Sequence, residues 1–352
     1  MPPSTVDLEA ESVNGHGLSS GPQYTKLPVR AQLAVDNFIP PDALVEERTR
    51  HFASVESRPP DQEGDTETLD GVLFTHHFAD APGDHEFVRF HYVEAGAGEV
   101  VVFLHGIPDS WYQWHHQMAT LSKSHRCIAP DLKGYGQSEK RAGDYRHEGA
   151  ADNLYTMFEK IGVAATKFNL VTHDRGTVQA DYIVAKHPEA VLRYGRGEQH
   201  LYHFNPVLAP QGDIFKDAPY TGLMEDPKRF VVWVYTWIAK LPIPDNEFSR
   251  VIQEYSYPGI SRAVPRYFNS STFRAEWLDR RNRLMQAWKC PIMIMQGYES
   301  RTQPREFYEA ARDYICNAKD VRVKYMPGGH FWTMESPKET TEAIQELLAI
   351  PV

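Results

Sequence analysis

Cysteine is scarce in this chain: three in 352 residues, Cys127, Cys290 and Cys316. They are too few and too widely spaced for a disulfide framework or a cysteine-based zinc site, and read as small apolar thiols. Long hydrophobic runs are missing as well. No apolar stretch approaches the roughly 20 residues that a membrane-spanning helix needs, so no membrane partner is expected. Positive charge is in deficit, with 37 Lys and Arg against 47 Asp and Glu and a formal net charge of −10. The basic residues form no tract, which argues against nucleic acid or an anionic lipid surface as partner. The stretch Met1–Gln23 lacks the basic start and apolar middle of a secretory signal, and the Arg content of a transit peptide. A cytoplasmic protein without metal or cofactor is expected.

Hydrophobic residues make up 41% of the chain, enough for one large core with an insertion. Residues 1–65 read as an N-terminal extension, poor in large apolar groups up to about Arg30 and therefore partly disordered. Within it, Ala31–Ser57 could form one or two helices, and Arg58–Asp70 reads as a polar linker. From Gly71 the pattern changes. Val72–His76 and Phe87–Val93 read as strands around a turn at Ala81-Pro82-Gly83-Asp84. Buried strands follow at Val100–Leu104, Cys127–Ala129, Phe168–Val171, Ile292–Met295 and Val321–Tyr325. Helical spacing separates them at His147–Ile161, Arg175–Lys186 and Glu339–Ile350. Strand and helix in alternation predict an α/β fold with a mostly parallel sheet flanked by helices. The sheet-building segments are 66–205 and 289–352. Between them, residues 206–288 are aromatic-rich and helical, and read as a cap over the strand ends, where open α/β sheets bind ligands.

Three loops carry chemistry. His105-Gly106-Ile107-Pro108 follows a buried strand, a turn that leaves backbone N–H groups facing the strand-end crevice. Thr172-His173-Asp174-Arg175-Gly176 lies between a strand and a helix and has the form of a nucleophile elbow with Asp174 at its centre. An aspartate there could also be a plain helix cap. As a nucleophile, a carboxylate forms an alkyl ester that water can cleave at the carboxyl carbon, whereas a serine would form a stable ether. Asp174 therefore points to attack on a saturated carbon, in an epoxide or an alkyl halide. Gly328-Gly329-His330-Phe331, late in the chain, offers His330 as the base that activates water.

Together with Asp131-Leu132-Lys133-Gly134-Tyr135-Gly136-Gln137-Ser138, these motifs resemble the epoxide hydrolase and haloalkane dehalogenase branch of the α/β-hydrolase fold family, over roughly Gly71 to the C-terminus. The resemblance implies a triad of Asp174, His330 and a second acid, with an oxyanion hole at the backbone of Ile107 and Arg175. Two slots are open for the acid. Glu299 stands one residue before Ser300, which occupies the family's usual Asp position. Glu198 fits the earlier slot, although Arg193-Tyr194-Gly195-Arg196-Gly197 makes a poor buried strand. The resemblance also implies cap tyrosines that donate to an epoxide oxygen. Tyr235 fits the first, while Phe268 occupies the slot of the second, with Tyr267 beside it. Trp111 could hold a leaving halide in a dehalogenase. The reading that follows is an epoxide hydrolase acting on a small apolar or aromatic epoxide. A haloalkane or haloacid dehalogenase, a non-catalytic binding member of the fold, and intramolecular epoxide opening are the alternatives.

Overall fold

Short aliphatic runs such as Val100–Leu104 can shed water on both faces only inside a sheet covered by helices, and the chain builds that sheet. The structure is a computed structural model that describes residues 8–11, 21–25, 40–83, 85–202, 224–270, 273–303 and 305–352. Two short strands, β1 (Leu8–Glu11) and β2 (Gly21–Thr25), pair antiparallel. The first described helix is α1 (Asp42–His51). The main sheet holds nine strands: β3 (Thr66–Leu69), β4 (Val72–Gly83), β5 (Glu86–Ala95), β6 (Glu99–Leu104), β7 (His125–Pro130), β8 (Phe168–His173), β9 (Val191–Gly197), β10 (Ile292–Gly297) and β11 (Val321–Met326). Their spatial order is β11-β10-β9-β8-β6-β7-β5-β4-β3. From β7 to β11 every pairing is parallel, and β5, β4 and β3 add an antiparallel flank.

Three local expectations change. The linker Arg58–Asp70 contains β3, an edge strand with alternating exposure. Of the expected turn, Ala81–Gly83 are still strand, with Pro82 opposite Phe87, and His85 beyond them adopts φ 51°. Segment 193–197 forms a buried strand despite its arginines. Arg196 is neutralised by Asp181, and Arg193 donates to the Ile350 carbonyl and the Asn169 side chain. Cys127 and Cys290 are buried as expected, while Cys316 is exposed.

Helices α2 (His115–Leu121), α3 (His147–Lys160), α4 (Arg175–Lys186) and α9 (Pro337–Leu348) flank the sheet. Between β9 and β10 the described residues form α5 (Pro227–Ile238), α6 (Asp245–Tyr255), α7 (Ile260–Ser270) and α8 (Phe273–Asp279), the last running on through a π-helical turn. Asp226 caps α5 by accepting from the Arg229 N–H, with Pro227 at the first helical position. Residues 206–223 of the expected cap lie outside the described residues. No described helix is long and apolar enough to cross a membrane. Connections from β6 leave first toward β7 and then toward β8 on the other side, so the crevice beyond these two strand ends is a topological switch point.

Candidate active site

Four strand ends converge on one cavity. The loop after β6 brings Ile107, the turn after β8 brings Asp174 and Arg175, β9 ends at Glu198–His200, and the loop after β11 brings His330. All of these line the cavity, with Phe268 of α7 and Thr302 and Gln303 beyond β10.

Asp174 sits at φ 47°, ψ −112°, a conformation costly for a residue with a Cβ. Its neighbours leave room for the turn only because they are glycines. A Cβ on Gly106 would come within 2.5 Å of the Asp174 Cβ, and one on Gly176 within 2.6 Å of the His105 carbonyl. The two oxygens of the Asp174 carboxylate meet different groups. Oδ1 accepts from the Ile107 N–H at 3.0 Å, while Oδ2 lies 3.8 Å from His330 Nε2.

Behind His330 stands Glu198. Its Oε2 accepts from His330 Nδ1 at 3.1 Å and from the Ser300 hydroxyl at 2.8 Å, and its Oε1 accepts from the Gly297 N–H at 2.7 Å. Glu198 itself adopts φ 48°. Thr302 Oγ1 lies 3.3 Å from His330 Nδ1. With Nδ1 held by a carboxylate, Nε2 is the nitrogen left facing Asp174. Burial opposes charge on His330, but the hydrogen bond and charge of Glu198, then the charge of Asp174, outweigh it and raise the imidazole pKa. Burial also raises the Glu198 carboxyl, against the donors around it.

Of the two acids left open by the sequence, Glu198 is the one beside His330. Glu299 is exposed and is not among the cavity residues, while its neighbour Ser300 donates to Glu198. The tyrosine expectations change. The Tyr235 hydroxyl donates to Asp109 Oδ1 at 2.8 Å, and its ring stacks on Phe331 at 3.7 Å, so its proton is committed. The Tyr267 hydroxyl donates to the Lys133 carbonyl at 2.8 Å and accepts from Gln179 Nε2. No tyrosine is among the described cavity residues. Phe268 does line the cavity, with the Arg175 guanidinium 4.5 Å over its ring. Trp111 packs against Phe74 and His76 in a separate region and does not reach the site. The described lining is mostly polar, where an aromatic one was expected, because the cap aromatics pack on one another: Trp233 on Trp237, Phe230 on Tyr255.

Several residues were missed. His200 and Gln303 face the cavity and each other, 3.4 Å apart, and no sequence motif marks either. Asp109 was visible in the loop after β6, but its burial and its raised pKa of about 7, caused by burial, depend on how that loop folds back. Glu335 accepts four backbone N–H groups: Gly329 and Phe331 on either side of His330, and Lys240 and Leu241 just after α5.

Comparison with known proteins agrees with this architecture. Residues 99–194 match the family described as alpha/beta hydrolase fold. The chain is 35% identical over 141 residues to the soluble epoxide hydrolase of Corynebacterium sp. (strain C12), covering 40% of this chain and 46% of the relative. It is 30% identical over 135 residues to bifunctional epoxide hydrolase 2 of Rattus norvegicus, covering 38% and 24%. The chain thus spans less than half the length of these curated relatives. Among solved structures, haloalkane dehalogenase DbeA from Bradyrhizobium elkani superposes with a TM-score of 0.64 at 23% identity, covering 78% of this chain and 98% of that one.

Proposed function

The chain has the α/β-hydrolase fold, and from that premise we propose that it is an epoxide hydrolase working through an aspartyl ester. The observation that carries the reading is the split environment of the Asp174 carboxylate: one oxygen on a backbone N–H, the other facing an imidazole that is backed by a buried acid. The named epoxide hydrolases among the relatives support the substrate class.

In the first half-reaction Asp174 Oδ2 attacks an epoxide carbon, the ring C–O bond breaks, and the released alkoxide takes a proton. His200, in the cavity beside Gln303, is the group able to supply it. In the second, His330 Nε2 takes a proton from water as that water attacks the ester carbon. Negative charge then builds on Oδ1, where the Ile107 N–H already points. The Arg175 N–H at the start of α4 is the proposed second donor. Collapse expels the second diol oxygen, which takes the proton back from His330, and the remaining water proton leaves the Asp174 carboxyl and returns to His200, restoring both groups. Glu198 opposes the transient imidazolium charge. Residues 206–288 act in this reading as the cap that keeps bulk water from the ester. A halide as leaving group would use the same ester, and the absence of a tyrosine from the described lining favours keeping that second reading under test.

The test is intact-protein mass of a His330→Gln variant incubated separately with epoxides and haloalkanes. Without its base the ester accumulates, and the expected adduct equals a whole epoxide. An alkyl adduct lacking halogen would convert the reading to dehalogenation. Retention of full activity by Asp174→Ala on a turned-over substrate would falsify both.

A further inference from the structure

Beside the site, one buried titratable side chain has no task in the proposed reaction: His173, the last residue of β8 and the neighbour of the nucleophile. We propose that His173 is a positioning residue for the second half-reaction, its ring N–H holding the main-chain carbonyl of His330 so that the base stays aimed once Asp174 is esterified; this rests on the aspartyl-ester reading above. His173 Nε2 lies 2.7 Å from the His330 carbonyl oxygen. A carbonyl can only accept, so Nε2 bears the proton. Nδ1 is buried with no hydrogen-bond partner among the described residues. Burial, and then the charge of His330, hold the His173 pKa well below its ordinary value, which keeps the ring neutral.

The unpaired Nδ1 separates this role from packing. A phenyl ring would fill nearly the same space against His330, Phe331 and Trp332, whose ring centroids lie 4.8, 6.2 and 5.3 Å away. It would bury no polar atom, whereas an unsatisfied buried nitrogen destabilises the fold. What only the imidazole supplies is the donor at Nε2. The peptide group that it holds is fixed at its other end as well. The Phe331 N–H, coplanar with the His330 carbonyl, donates to Glu335 Oε1 at 2.9 Å. Rotating this peptide plane would break one bond or the other, so the plane sets the direction in which the His330 side chain leaves the backbone.

The two half-reactions need this hold unequally. In the free enzyme the Asp174 carboxylate lies 3.8 Å from His330 Nε2, and its charge favours the imidazolium. In the ester that oxygen is bonded to carbon and the charge is gone. Glu198 still holds Nδ1 at 3.1 Å, but a single contact leaves the ring and its loop free to swing about it. Attack on the epoxide uses Asp174 and His200, whereas water attack needs Nε2 within hydrogen-bond reach of the water. The turn of the nucleophile has anchors of its own, the Asp174 N–H on the Gly197 carbonyl and the Gly176 N–H on the His105 carbonyl. Loss of the His173 donor therefore slows hydrolysis of the ester and spares its formation.

The full-length chain and the variants His173→Phe, His173→Gln and His330→Gln are mixed with an epoxide that the parent turns over, quenched at intervals, and weighed intact. We expect His173→Phe to form the ester at the parental rate and then to retain it, with hydrolysis slowed by about 100-fold, the scale set by a misplaced catalytic group. His173→Gln should recover most of the hydrolysis, because its amide N–H reaches the position of Nε2. His173→Leu, equally without a donor, gives the same reading if the phenyl ring does not fit. Equal slowing of formation and hydrolysis in the variants without a donor would assign His173 to packing and overturn the proposal. So would parental hydrolysis in those variants, or a His173→Gln no faster than they are. The His330→Gln arm separates two failures. An adduct there with none in His173→Phe overturns the role of His173 alone, whereas no adduct in His330→Gln removes the ester and this role with it.

Discussion

At the scale of single residues, the site turns on which carboxylate backs His330. Glu198 does so through a 3.1 Å contact, and Glu299 is turned to solvent. Glu198→Gln should lower kcat by about 10²–10⁴-fold, since the imidazolium formed during water attack loses its counter-charge. The pH profile should move as well. In the proposed mechanism His330 must be unprotonated to accept a proton, and Glu198 holds its pKa up against burial. Once the anion is gone burial dominates, the pKa falls, and the acid limb of kcat shifts to lower pH. Glu299→Gln should leave both readouts unchanged. A profile that moves with Glu299 and not with Glu198 would reverse the assignment. The sequence could not choose between the two acids because the choice depends on whether 193–197 is a strand. That in turn depends on Asp181, on another helix, neutralising Arg196.

At the scale of elements, the same buried ion pair is a structural joint. Asp181 on α4 accepts from Arg196 on β9, from Arg280 in the π-helical turn after α8, and from the Tyr194 hydroxyl. Arg196 in turn donates to the Gln199 and His200 carbonyls, which directly follow Glu198. Arg196→Met should therefore destabilise the fold by about 3–5 kcal/mol, the usual cost of leaving one partner of a buried pair behind. Thermal unfolding checks this. A loss under about 1 kcal/mol would mean that the pair is dispensable. Elements of this sheet were readable where a run is short and wholly apolar, as in β6 and β10. They were not readable where polar side chains are neutralised from a distance, as in β9. The loops after β6, β8 and β11 were legible because each is a local motif. The direction of Tyr235 was not, because it is set by Asp109, 126 positions away.

For the whole molecule, Asp109 makes stability depend on pH in a defined window. Its carboxyl has an ordinary pKa of 3.8, and burial raises it to about 7 in the folded chain. Below about pH 4 the folded and unfolded chains both hold the proton, and the folded state bears no penalty for this group. Between about 4 and 7 the folded chain keeps a proton that the unfolded chain has released, so stability falls as pH rises. Above the folded pKa the full penalty is present, about 4 kcal/mol. Asp109→Asn cannot ionise, so relative to the parent its unfolding free energy should gain with pH across that window. Parallel denaturant titrations at pH 4.5 and 8 measure the difference, and identical pH slopes would refute it.

Glu335 holds the backbone on both sides of His330 and, with the same carboxylate, the chain just beyond α5. The His330 N–H also reaches across to the Ile238 carbonyl. The His330 loop and the end of α5 are therefore tied together by the Glu335 carboxylate and by this bond. In the proposed mechanism, any displacement of the end of α5 would also pull on the loop that carries the proposed base. On that reading, substrate entry past α5 and the placing of the proposed base are coupled through one carboxylate.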